Sequence, residues 1–259
     1  MKVVILAGGL GSRISEESLV KPKPMIEIGN KPILWHIMKI YSYYGFNDFL
    51  ICLGYKGDII KKYFADYYLS KSDVSYDVTN NKISYFNNSA EPWTVTLVNT
   101  GDKSMTGGRI KRISDYLDDE TFCMTYGDGL SNVNIIDSIK FHKTSNALCT
   151  LTAVENLSQF GVLTFSKMDT KIIKFNEKPI DSRSWINGGF FIMEPKVIDY
   201  IDNDFTIWEK SPMQKLANEG KLCAYKHNGF WKNMDTLYDK VILEELWSKG
   251  NAPWKLWAK

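Results

Sequence analysis

The apolar positions of this chain change period along its length, and those changes mark its elements. Val3-Val4-Ile5-Leu6 is unbroken, as in a parallel strand covered on both faces. After a glycine-rich turn, Ile33, Leu34, Ile37, Ile40, Tyr41 and Tyr44 recur at helical spacing over 32–44. Pro32 suits the first turn of that helix and Gly45 its stop. Phe49–Leu53 is a second apolar strand, and Ile59, Ile60, Tyr63 and Phe64 make a second helical stripe. The order β–α–β–α up to about Ala65 predicts an α/β fold with a doubly wound, mostly parallel sheet. Residues 66–99 break the rhythm. They are rich in Tyr, Ser and Asn and alternate over Val74–Val78 and Lys82–Phe86, with Asn80-Asn81 placed to turn a hairpin. This stretch reads as a small β-containing insertion. The α/β rhythm then resumes with a helix near 107–117, a strand at Phe122–Thr125, a helix near 134–144 and a strand near 148–154. The last third predicts strands near 161–166, 171–176, 186–193 and 222–226, and helices near 195–201, 209–219 and 236–248. No repeat, low-complexity tract or linker interrupts the pattern. The chain therefore reads as a single domain over 1–259, with the insertion at 66–99 and a C-terminal tail at 250–259.

Composition narrows what such a domain can do. With 259 residues, 44% of them hydrophobic, it can bury a core without staples. The 32 Lys+Arg nearly balance 30 Asp+Glu, and a net charge of +2 gives no basis for a nucleic-acid surface. Cationic chemistry must then be local. Cys52, Cys123, Cys149 and Cys223 form no CxxC pair, and only three histidines accompany them, which argues against a Cys/His zinc site. They read as reduced core thiols, which suit the cytosol. The opening apolar run is too short for a signal peptide, and no stretch reaches the ~20 apolar residues of a membrane helix, so no membrane partner is expected. His36 sits among apolar residues at helical spacing and reads as a core or interface histidine. Trp247, Trp254 and Trp257 read as anchors for the tail or a subunit contact.

The first candidate site is the turn after the opening strand, Leu6-Ala7-Gly8-Gly9-Leu10-Gly11-Ser12-Arg13, followed by Lys21-Pro22-Lys23-Pro24. Glycines there let backbone N–H groups approach a phosphate closely. No Gly-Lys-Ser/Thr follows at P-loop spacing, and Ile14 stands where a dinucleotide fingerprint needs its third glycine. Arg13 and the proline-braced Lys23 supply the cations a polyphosphate needs beside backbone donors. A second candidate is Tyr126-Gly127-Asp128-Gly129, at the carboxyl end of a predicted strand, where ligands of open α/β sheets sit. A third is Met234-Asp235-Thr236, before the last long helix. As residues alone, Asp128 also suits a turn brace or helix cap, and Asp235 an N-cap.

The glycine turn with Lys21-Pro22-Lys23-Pro24 resembles the signature of the nucleoside-diphospho-sugar pyrophosphorylases. Lys31–Met38, Met105-Thr106-Gly107-Gly108-Arg109 and Gly229-Phe230-Trp231 with Met234-Asp235-Thr236-Leu237 resemble the cytidylyl-transferring members of that family. The likeness runs along essentially the whole chain. It implies a Rossmann-like fold of the nucleotide-diphospho-sugar transferase type, and the reaction of CTP with α-D-glucose 1-phosphate to give CDP-glucose and pyrophosphate. It assigns Arg13 and Lys23 to catalysis. The nucleotide falls to Leu6, Ala7, Gly8, Gly9, Leu10, Gly11, Ser12, Arg13, Lys23, Ser104, Gly107, Arg109, Gly127 and Asp128. Glu177, Lys178, Asn187 and Gly188 are assigned to the hexose phosphate, and Asp128 and Asp235 to Mg²⁺. It further implies a cytoplasmic homo-oligomer, a trimer or hexamer, that supplies deoxysugar and surface-polysaccharide synthesis. The chain departs from the family pattern at Ser12, Gln159, Lys232-Asn233 and Tyr238, which leaves the acceptor sugar more open than the reaction type. A related transferase with another nucleotide or sugar, or a non-catalytic binding subunit on the same fold, stays open at this level.

Overall fold

The computed structural model describes residues 1–156, 162–165, 172–176 and 184–258. Its central sheet has seven strands: β1 (Val3–Leu6), β2 (Asp48–Leu53), β3 (Thr94–Asn99), β4 (Phe122–Tyr126), β5 (Cys149–Asn156), β6 (Ser184–Met193) and β7 (Leu222–His227). Their spatial order is β7-β5-β6-β4-β1-β2-β3. Every neighbouring pair is parallel except the two made by β6, which runs antiparallel to β5 and β4. Flanking helices are α1 (Ile33–Tyr43), α2 (Gly57–Ala65), α3 (Thr106–Lys111), α4 (Ile135–Ser145), α5 (Ser211–Asn218) and α6 (Leu237–Ser248).

The unbroken apolar run of β1 has the cause the pattern implied. Val3 and Ile5 pack into one core with α1, while Val4 and Leu6 pack into a second core with Ile110, Phe191 and Trp208. A strand covered on both faces cannot alternate with polar residues. The expected mostly parallel α/β sheet is therefore the observed one. Leu6 lies opposite Cys52 on one side and Tyr126 on the other, so β1, β2 and β4 end at the same edge. Because β6 is antiparallel, its early residues Asn187–Gly189 reach that same edge from the opposite direction, with Phe190 already opposite Thr125.

The stretch expected to be wholly an insertion divides in two. The hairpin Asp73–Asp77/Lys82–Phe86 stands outside the main sheet, with Asn81 in the left-handed region of its turn. Thr94–Asn99, however, is the edge strand β3, paired in parallel with β2. Only one of its sides is hydrogen-bonded and its faces are half-exposed, so Thr94 and Thr96 blend into the polar stretch before them. The helix expected near 107–117 is shorter, ending at Lys111 and followed by a 3₁₀ turn at Ser114–Tyr116. The helix expected near 195–201 is a 3₁₀ turn at Pro195–Tyr200.

The tail is anchored as its tryptophans implied. Trp247, Trp254 and Trp257 surround His36, with Trp254 fully buried. His36 Nε2–H donates to the Ile28 carbonyl at 2.8 Å, and Nδ1 accepts from the Trp254 indole N–H at 3.3 Å. Burial lowers the His36 pKa to about 4, so the ring is a neutral core group. Cys52, Cys123 and Cys149 are buried free thiols, and burial pushes Cys52 and Cys123 up to about 12. No helix among the described residues is long and apolar enough to cross a membrane.

The buried histidine makes stability depend on pH. Against an ordinary value of 6.5, the folded-state value of about 4 means that unfolding takes up a proton between those limits. The His36 contribution is thus level above pH 6.5, falls as pH drops through the window, and levels again below 4, spanning roughly 3 kcal/mol at most. His227, also lowered by burial, adds loss in the same direction. Urea midpoints measured between pH 7 and pH 4.5 should fall steeply in the wild type and less steeply in His36→Gln. Parallel curves would show that His36 does not carry the effect.

Candidate active site

The strand ends enclose a cleft of about 690 Å³. Its floor is the turn after β1. Gly11 sits at φ 66°, the left-handed conformation that lets the chain reverse into the 3₁₀ turn Ser12–Ile14. Ile14 is buried and pins the far end, and the Ser18 hydroxyl donates to the Gly11 carbonyl at 3.0 Å. The Gly9 and Leu10 amides donate to no protein acceptor among the described residues, so both remain open to an anion.

Two acidic segments far apart in sequence are joined by a short ribbon. Gly129–Ser131 pairs antiparallel with Trp231–Asn233, and the Met234 amide donates to the Asp128 carbonyl at 2.9 Å. Asp128 and Asp235 therefore face one another. Between them lies the ammonium of Lys23, 2.6 Å from Asp128 Oδ2 and 2.7 Å from Asp235 Oδ1. Lys23 is buried in a 3₁₀ turn bracketed by Pro22 and Pro24, which fixes where its side chain emerges. Arg13 Nη1 adds a 2.7 Å contact to Asp235 Oδ2 from the solvent side, and Asn233 donates to the same oxygen. Two carboxylates that converge on one cation position suit a hard divalent ion, whose remaining ligands would be substrate oxygens and water. Among the described residues no third Asp, Glu, His or Cys joins them, so a closed protein cage is absent. Asp128 and Asp235 are the pair that could hold such an ion.

Arg109 lies beneath this floor. It is buried, and its guanidinium donates to the carbonyls of Gly8 at 2.9 Å, Leu53 at 3.1 Å and Gly101 at 2.8 Å, and to Thr100 Oγ1 at 2.9 Å. Desolvation by burial lowers its pKa from the ordinary arginine value. The group braces the strand ends and leaves a positive charge under the glycine turn. A Cβ at Gly8 would lie 2.1 Å from Arg109 Nη1, so this glycine is needed for close approach.

The opposite wall comes from β6. Asn187 and Gly188 line the cleft, where the Trp231 indole donates to the Gly188 carbonyl at 2.7 Å. Asn187 Oδ1 accepts from the Gly189 amide at 2.9 Å, and its Nδ2 reaches the Tyr126 hydroxyl at 3.4 Å. Burial, reinforced by the Glu209 charge, raises the Tyr126 pKa and keeps that hydroxyl protonated.

Most residues singled out from sequence come together here: Leu6, Ala7, Gly8, Gly9, Gly11, Ser12, Arg13, Lys23, Ser104, Arg109, Gly127, Asp128, Asn187, Gly188 and Asp235 all line the cleft. Leu10 and Gly107 do not. Leu10 is exposed, and Gly107 backs onto Thr206, whose carbonyl a Cβ would meet at 2.7 Å. Glu177, Lys178 and Gln159 lie outside the described residues. Of the departures from the family pattern, Lys232 pairs with Asp239 at 2.6 Å, Asn233 supports Asp235, and Tyr238 is exposed. Sequence reasoning missed Tyr126, Thr106, Glu209 and Trp231 as lining residues. Tyr126 carried a signal in its place at the end of a strand beside Asp128, and Thr106 and Trp231 stood in motifs that carry the family resemblance, whereas Glu209 carried none.

Comparison with known proteins accords with this geometry. The nucleotidyl transferase family model matches residues 2–237. A glucose-1-phosphate cytidylyltransferase of Salmonella typhi is 55% identical over 258 residues, 99% of this chain and 100% of the relative. A probable glucose-1-phosphate cytidylyltransferase of Bacillus subtilis is 45% identical over the same shares of both chains. Among solved structures, HddC from Yersinia pseudotuberculosis superposes with a TM-score of 0.70 at 24% identity, covering 95% of this chain and 99% of its own, and so supports the fold.

The Arg109 brace makes Gly8 a sensitive position. Gly8→Ala should lower the unfolding free energy by about 1–3 kcal/mol, because the guanidinium it meets is held by several acceptors and cannot move freely. It should also weaken anion binding at the turn. A denaturant titration and a nucleotide titration of the same variant check both, and wild-type values in each would contradict the brace.

Proposed function

The chain belongs to the nucleotidyl transferase family, and from that premise we propose that it transfers a cytidylyl group from CTP to α-D-glucose 1-phosphate, giving CDP-glucose and pyrophosphate. The observation that carries this reading is the Lys23 ammonium between Asp128 and Asp235 beside the open glycine turn, in a chain that matches a cytidylyltransferase over 99% of its length.

A phosphate monoester, with a second pKa of about 6, is mostly dianionic near neutral pH. Its oxygen is already a nucleophile and needs no general base. The difficulty is bringing two anions together. The Gly9 amide and Arg13 face the triphosphate, and Lys23 offsets charge around the α-phosphorus as it becomes five-coordinate. Lys178 holds the attacking phosphate, with Glu177, Asn187 and Gly188 on the hexose. The sugar-phosphate oxygen bonds to the α-phosphorus as the bond to the β-phosphate oxygen breaks, and pyrophosphate leaves. Asp128 and Asp235 would hold Mg²⁺, which supplies charge neutralisation for the phosphate oxygens. The rest of the rate comes from positioning. We read residues 1–259 as one catalytic domain working in the cytoplasm as a homo-oligomer, a trimer or hexamer. Exposed Tyr76, Tyr85 and Phe86 on the 73–86 hairpin support a place for it in the subunit contact.

Pyrophosphate release from each nucleoside triphosphate against several sugar 1-phosphates tests the assignment. CTP should exceed UTP in kcat/KM by roughly 5- to 150-fold, because a site that accepts the 4-amino group faces uracil's carbonyl with a second acceptor. Equal values would remove the cytidylyl assignment, and no release from any pair would leave only a binding protein.

Asp128→Asn keeps the shape of the side chain but gives up its charge. It should retain the wild-type melting profile and lose turnover on the order of 10²-fold. Unchanged turnover with unchanged Mg²⁺ dependence would take Asp128 out of the site.

A further inference from the structure

Glu209 carries a hydrogen-bond arrangement that phosphate chemistry does not use. It lies in the turn before α5 and lines the cleft between Thr106 and Tyr126. Its Oε1 accepts from the Tyr126 hydroxyl, and its Oε2 accepts from Thr106 Oγ1 at 2.6 Å. Both donors are oriented from behind. The Trp208 amide donates to Thr106 Oγ1 at 2.9 Å, and Asn187 Nδ2 points at the Tyr126 oxygen at 3.4 Å. Each hydroxyl thus accepts on one side and must give its single proton to Glu209. The turn itself is zipped to the start of α3, with the Met105 amide on the Asp204 carbonyl at 2.8 Å and the Gly107 amide on the Thr206 carbonyl at 2.9 Å. Glu209 is therefore the terminal acceptor of two converging chains. Each carboxylate oxygen can accept more than one hydrogen bond, so acceptor capacity remains toward the cleft.

A fixed carboxylate with spare acceptor capacity repels phosphate and selects neutral donors. In a cleft that takes a nucleotide and a sugar phosphate, those donors are ring hydroxyls. We propose that Glu209 is a specificity-determining residue that accepts hydrogen bonds from the hydroxyls of a sugar ring, either the ribose of the nucleotide or the hexose of the sugar phosphate, with Tyr126 and Thr106 as its positioning residues. This rests on the cleft being the nucleotidyl-transfer site. Its place between Thr106 on the α3 side and Asn187 on the β6 side puts it within reach of either ring, so substrates lacking one hydroxyl decide which.

The test compares CTP with 2′-deoxy-CTP and 3′-deoxy-CTP, and glucose 1-phosphate with its 2-, 3-, 4- and 6-deoxy analogues. Wild-type protein should lose roughly 10- to 100-fold in kcat/KM on at least one analogue, the range for a hydrogen bond to a charged acceptor. Glu209→Gln should raise KM for the natural form of that substrate by a similar factor with kcat nearly kept. The same variant should shrink the penalty for the matching analogue to about 3-fold or less. Tyr126→Phe, which keeps the ring against Phe191, should show the same selective change in smaller measure. Loss of discrimination on a CTP analogue assigns the ribose, and on a glucose analogue the hexose. Wild-type discrimination retained on every analogue by Glu209→Gln would overturn the proposal. So would a uniform fall in kcat across all substrates in both variants. Calorimetric titration of the same ligands reads discrimination without turnover. Hydroxyl-dependent binding in a protein that releases no pyrophosphate would sink the nucleotidyl-transfer reading and leave the role of Glu209 standing.

Discussion

The Lys23 ammonium is the point on which the site depends. It joins a carboxylate 105 residues away to another 212 residues away, and all three side chains are largely buried, at 10%, 26% and 16% exposure for Lys23, Asp128 and Asp235. Such a cluster is a poor source of stability, because the desolvation of three charges offsets most of their attraction. Removing the lysine would be worse, since it would leave two carboxylates facing each other with only the exposed Arg13 against Asp235. The local sequence is shaped to hold the group. Pro22 and Pro24 fix the backbone, and Gly127 lets Pro24 pack against the end of β4, where a Cβ would lie 2.9 Å from the proline ring. An arrangement this specific with so little stabilising value is best explained by chemistry at the cleft.

A second cation supports the first from below. Arg109 is spent on backbone carbonyls and one hydroxyl, so its charge is fixed in place beneath the glycine turn. Lys23 and Arg13 line the cleft, whereas Arg109 holds the Gly8 carbonyl and so shapes the glycine turn. The division is between movable and immovable charge. Exposed Arg13 can follow a substrate, buried Lys23 can exchange partners, and Arg109 cannot leave without breaking the ends of β1 and β2.

What sequence could and could not convey follows the same division. The apolar run of β1, the glycine turn and an Asp after β4 are local patterns, and all three stand where they were expected. The pairing of Asp128 with Asp235 depends on a three-residue ribbon, Gly129–Ser131 with Trp231–Asn233, too short to leave a periodic signal. It was the family resemblance, not spacing, that joined those two residues. β3 was missed because an edge strand with half-exposed faces resembles the polar hairpin before it. Glu209 was invisible because its role comes from where Tyr126 and Thr106 meet it, and neither is near it in sequence. Gly107 is a nearby case of another kind: a glycine in a matching motif whose absent side chain makes room for the Thr206 carbonyl.

The direction of β6 explains how one edge serves two substrates. Parallel strands bring their carboxyl ends, with glycine turns and cations, to the same side. An all-parallel sheet would continue that chemistry along the whole edge. β6 enters from the other direction, so Asn187 and Gly188 arrive on an incoming strand beside the outgoing Tyr126. The cleft is thereby divided by polarity as well as by position. The β1 side presents N–H groups and ammonium charge, which suit phosphate oxygens. The β4–β6 side presents an amide, a protonated phenol and a carboxylate wired as a terminal acceptor, which suit hydroxyls. A reaction that must hold phosphates against phosphates while telling one sugar from another requires both kinds of wall, and the single reversal in the sheet places them across from each other.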